Sequence, residues 1–78
     1  MPMRRTLIRS EAGVRLQRIE RLSAQQVTHQ QFSLSSLRRH GARLFSDRDQ
    51  AEDAFDLEVI AALSDPVVAD MQRRGLID

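Results

Sequence analysis

Lysine, cysteine, tyrosine and tryptophan are absent from this chain of 78 residues. Without cysteine there is neither a disulfide nor a thiolate metal site to support so small a fold. Glycine and proline are sparse (Gly13, Gly41, Gly75, Pro2, Pro66), so few positions break a regular element. No apolar run approaches the length of a membrane span, and Leu7-Ile8 is too short for the apolar centre of a secretory signal. These absences lead to the expectation of a cytoplasmic protein that makes no membrane contact. Two histidines without a cysteine or a paired histidine, His29 and His40, offer no metal set. No glycine-rich phosphate loop or nucleophile elbow is present, so neither an enzyme nor a cofactor is expected.

What is present is arginine, as all twelve cations, and its distribution is uneven. Residues 1–46 carry nine arginines and two acids, whereas residues 47–78 carry three arginines and nine acids. The near-zero net charge hides two halves of opposite sign, which suggests an arm for a polyanion and a separate arm for another partner, or a self-complementary surface. Guanidinium suits phosphate and the guanine edge. A chain this short buries roughly 60% of its unfolded surface, so dimerisation is expected to supply missing core.

Hydrophobic spacing predicts a mainly α fold: a short N-terminal strand or arm, then about four helices, assembled as a small helical dimer. Residues 4–9 (Arg-Arg-Thr-Leu-Ile-Arg) suit a strand or an irregular arm. A first helix is expected after Ser10, with Ala12, Leu16, Ile19, Leu22, Ser23 and Val27 on one face. A second is expected from Ser33 as N-cap, with Leu34, Leu37, Gly41, Leu44 and Phe45 inward. The third is expected from about Arg48 to Leu63, capped by Ser46 or Asp47, with Ala51, Phe55, Val59, Ala62 and Leu63 inward. The fourth opens with Asp65 as N-cap and Pro66 as first helical residue, and stops at Gly75.

Two groups of residues stand out as candidate surfaces. Arg4, Arg5, Arg9, Ser33, Ser35, Arg38, Arg39 and Arg43 are the candidate nucleic-acid set, because a serine-rich helix N-terminus flanked by arginines is a phosphate site. Asp49, Glu52, Asp53 and Asp56 form an acidic stripe at helical spacing. With Phe55, Val59, Leu63, Val67 and Met71 they are the candidate partner-binding set, unless the apolar members complete the core. Asp47, Asp49, Asp53 and Glu58 partly follow a calcium-loop spacing, but Ala51 has no ligand atom and Glu52 occupies the turn-glycine position.

Residues 3–45 resemble the ribbon-helix-helix repressors and antitoxins. The matching stretches are Arg4-Arg5-Thr6-Leu7-Ile8-Arg9, then Leu16, Ile19 and Leu22, then Ser33-Leu34-Ser35-Ser36-Leu37. That resemblance implies a two-chain strand ribbon in the major groove of double-stranded DNA, with Arg5 and Arg9 on bases and Ser33 on a phosphate. A helix-turn-helix, with residues 23–30 and 33–45 as its two helices, is the neighbouring alternative. The expectation is a DNA-binding regulator of antitoxin or autorepressor type. Its basic half (1–46) would hold DNA as a homodimer, and its acidic half (47–78) would hold a protein partner. A helical protein-interaction module, such as a phage-type inhibitor or adaptor with no nucleic-acid role, is the alternative.

Overall fold

The computed structural model describes residues 3–24 and 26–77. Four strands form one antiparallel meander in sequence order: β1 Met3–Glu11, β2 Val14–Ser23, β3 Gln26–Ser35 and β4 Arg43–Phe45. Two helices follow, α1 Arg48–Leu63 and α2 Pro66–Arg73. The expectation of a mainly α, four-helix fold is therefore overturned. Residues 4–9 are strand, and the two segments assigned to the first and second helices are strands and turns.

The cause is local turn chemistry together with alternation. Ala12 and Gly13 both adopt positive φ (52° and 78°), the conformation of a tight two-residue hairpin turn, which glycine tolerates without strain. The turn closes β1 onto β2, with Glu11 opposite Val14. Along β2, Val14, Leu16 and Glu20 are buried on one side while Arg15 and Arg21 point to the other. That is the period of two of a half-covered strand. Leu16, Ile19 and Leu22 also satisfy a helical spacing, which is how the sequence misleads. In β3 the inward pair is Phe32 and Leu34. Leu37 and Leu44, expected inside a helix, are exposed.

The two C-terminal helices follow their local signals. Asp47 caps α1 by accepting from the Asp49 N–H at 2.9 Å, and Asp65 caps α2 by accepting from the Val67 N–H at 2.9 Å. Pro66 occupies the first turn of α2, where a missing N–H costs nothing. Gly75 takes positive φ (74°) just past the end of α2, and the Leu76 N–H returns to the Met71 carbonyl at 3.0 Å.

One layer of helix lies on one face of the sheet. α1 packs on β2, β3, β4 and α2. Ala51, Phe55, Val59 and Ala62 of α1 and Val68 of α2 meet Val14, Leu16, Phe32 and Leu34, with Ile8, Phe45 and Ile77 at the margin. Residues 47–78 thus supply half of the core. Among the described residues no helix packs on the other face of the sheet, whose end at Leu7, Ser10 and Arg15 is bordered by Leu37, Leu76 and Ile77, and the molecule is elongated (46 × 22 × 18 Å).

Candidate nucleic-acid interface

Strand register sorts the side chains of the sheet onto two faces. The pairs Thr6↔Arg18, Arg4↔Glu20, Leu16↔Leu34 and Arg18↔Phe32 lie on the helix side. The pairs Met3↔Arg21, Arg5↔Ile19, Leu7↔Gln17, Ser10↔Arg15, Ile19↔Gln31, Arg21↔His29, Gln17↔Ser33 and Ser33↔Leu44 lie on the open side. A β-bulge between Leu7 and Arg9 shifts the alternation in β1, so Ile8 reaches the core while Arg9 stays on the helix side.

Charge follows this division. On the helix side, arginines meet carboxylates. Arg4 donates from Nε and Nη2 to Glu20 Oε1 at 3.1 and 2.9 Å. Arg18 Nε lies 3.3 Å from the same oxygen, but without hydrogen-bond geometry. Glu20 is buried on the helix side of β2, where a carboxylate needs partners of this kind. Among the described residues, three ion pairs tie the basic half to the acidic half: Arg9–Asp56 at 2.9 Å, Arg39–Glu58 at 3.3 Å and Arg38–Asp65 at 3.8 Å. The Arg9 guanidinium also sits 4.4 Å from the centroid of the Phe55 ring. Within the helices, Glu52 pairs with Arg48, and Asp70 with Arg73 and Arg74.

The open side is different. Among the described residues it carries Arg5, Arg15 and Arg21 with His29, Gln17 and Gln31, and no carboxylate. Arg5 donates to Gln17 Oε1 at 3.5 Å, a neutral partner on the same face. Met3, Leu7 and Leu44 stand exposed among them.

The structure therefore disperses the nucleic-acid residues expected from sequence. Arg5 is on the open face. Arg4, Arg9, Arg38 and Arg39 are engaged by acids. Arg43 lies 5.1 Å over the Phe45 ring. Ser33 is only 7% exposed within β3, and Ser35 is half-buried at its end, so neither caps a helix. The dimeric ribbon and phosphate clamp implied by the family resemblance need residues 14–23 and 33–45 to be helical, and they are not. Arg15, Arg21, Gln17 and Gln31 were missed, because their shared face exists only once the strands pair. The signal in sequence was Arg15-x-Gln17-x-Ile19-x-Arg21.

The expected partner-binding residues also divide. Phe55 and Val59 are core, and Met71 is half-buried. Asp56 and Glu52 are in ion pairs. Asp49, Asp53, Leu63 and Val67 are exposed, joined by Leu57 (68% exposed) and Ile60 (62%) on the outer side of α1. Leu63, expected inward, faces solvent because α1 buries the side centred on Phe55 and Ala62.

Among the described residues there is no cluster of three or more His, Asp or Glu able to hold a metal, and no helix long and apolar enough to cross a membrane. No protein-family profile, curated protein or solved structure matches this chain.

Proposed function

We propose that this protein binds double-stranded DNA, as a small regulator does, through the open face of its sheet. One observation carries the reading. The acidic half neutralises arginines on the helix side, while Arg5 and Arg15 stand on a sheet face that, among the described residues, no helix covers and no carboxylate occupies. A polyanion is the ligand such a face attracts.

The dimensions suit a duplex. The central strand places Arg15, Gln17, Ile19 and Arg21 in a row of about 20 Å at 3.3 Å per residue, or roughly six base pairs at 3.4 Å each. The residue types suit base edges: arginine for guanine, glutamine for adenine, and Ile19 for a thymine methyl.

Fluorescence anisotropy with a labelled duplex across a salt series tests the reading. Log K should fall with log salt at a slope of about −0.9 per phosphate neutralised, and Arg15→Ala and Arg21→Ala, which remove base-edge contacts, should each cost about 1–3 kcal/mol and relax sequence preference. Arg73→Ala, on the far helix, should leave the slope unchanged. No binding at low salt refutes the proposal.

A further inference from the structure

Beyond the ligand of the sheet, the molecule carries a second uncovered surface of opposite character. On the outer side of α1, Leu57, Ile60 and Leu63 are exposed. Asp49 and Asp53 are exposed on the same side of the helix. Unlike Glu52, Asp56 and Glu58, neither is held by an arginine. The open sheet face offers the complement: Arg5, Arg15 and Arg21 beside Met3, Leu7 and Leu44.

We infer that the outer face of α1 docks on the open sheet face of a second copy of this chain, head to tail. Charge complementarity selects this occupant. Two helix faces brought together would oppose aspartates, and two sheet faces would oppose arginines. Only helix on sheet pairs unlike charge and covers aliphatic side chains from both sides. The two surfaces lie on opposite sides of one helix-on-sheet layer, so each docking leaves one of each free, and the assembly extends instead of closing as a symmetric dimer. One helix of 16 residues offers a footprint of about 24 by 11 Å. A contact of that size belongs with weak interfaces of under about 1,200 Å², so assembly is reversible and salt-sensitive.

The docked helix would cover the residues proposed to hold DNA, its aspartates standing where phosphates would. That consequence rests on the proposed function; the docking does not.

Sedimentation velocity of the full chain without DNA tests the docking by itself. Between about 10 µM and 1 mM at low salt, the weight-average mass should at least double, the range expected for a weak contact. The gain should vanish near 0.5 M salt, where the Debye length is a few ångströms. Three charge-swapped proteins, with folding checked by circular dichroism, give the geometry. One carries Asp49→Arg and Asp53→Arg, a second carries Arg5→Glu and Arg15→Glu, and a third carries all four. The first two should each be monomeric alone and co-assemble in equal proportion when mixed, because the two native faces match each other and so do the two reversed faces. The third should assemble again. The milder Ile60→Ser should weaken assembly of an otherwise native chain. A wild type that stays monomeric at the highest concentration overturns the inference, as does a closed dimer that neither swap disturbs. Duplex DNA should then dissolve the assemblies. Assembly in a protein that binds no duplex would leave the docking standing and refute the DNA reading alone.

Discussion

Replacing Phe55 by alanine tests whether the acidic half is core or appendage. Phe55 is 1% exposed, the largest fully buried side chain, and it lies between α1 and the inward faces of β2 and β3. Truncating a buried phenylalanine costs about 3–5 kcal/mol. Loss of the Arg9 contact on its ring adds about 0.5–1 kcal/mol, since Arg9 is partly exposed. A domain of this length has a total stability of about 4–12 kcal/mol at 0.05–0.15 kcal/mol per residue, so one substitution removes much of the margin. At about 4–8 °C per kcal/mol, the melting temperature should fall by at least about 12 °C. Urea unfolding followed by circular dichroism measures the loss directly. Leu57→Ala is the control: it lies two residues further along the same helix, but its side chain is in solvent, and its cost should stay within about 0.5 kcal/mol. Equal losses at the two positions would refute the packing of α1 on the sheet.

Other expectations follow from single contacts. A chain ending at residue 46 should lose strand signal in circular dichroism, because Val14, Leu16, Phe32 and Leu34 lose their cover; a native-like spectrum would contradict this. Gly13→Ala should cost about 1–2 kcal/mol for a side chain at positive φ. Leu37, whose Cδ1 would lie 2.6 Å from the new Cβ, is exposed and can rotate away. Asp65→Ala should cost about 0.5–2 kcal/mol in thermal unfolding through loss of the α2 cap. Glu20→Ala should destabilise by about 1–3 kcal/mol, since it removes the acceptor of two Arg4 hydrogen bonds and the ion-pair partner of Arg18, whereas Glu52→Ala, in an exposed helical pair, should cost under about 0.5 kcal/mol in the same assay.

Both helices were legible in the chain because their signals are local. Asp47 ahead of α1, and Asp65-Pro66 with Gly75 around α2, bind or release backbone groups within one turn, whatever surrounds them. The sheet was not legible in the same way. Leu16, Ile19 and Leu22 fit a helical stripe, and the residues of β3 fit a capped helix, so the spacing left two solutions. Pairing between strands decided for the meander, and the one local hint was Ala12-Gly13, where both residues need positive φ. The opposition of a basic half and an acidic half is likewise a property of the chain alone. Which arginines keep their charge available is not. Arg9 and Asp56 are 47 residues apart and meet only because α1 folds back over β2 and β3. Arg5 and Arg15 escape such pairing because the alternation of a strand turns them to the side that no helix covers. A side chain's neighbours across a sheet come from distant parts of the chain, so charge order was visible in one dimension, while the division into a neutralised face and a basic face required three.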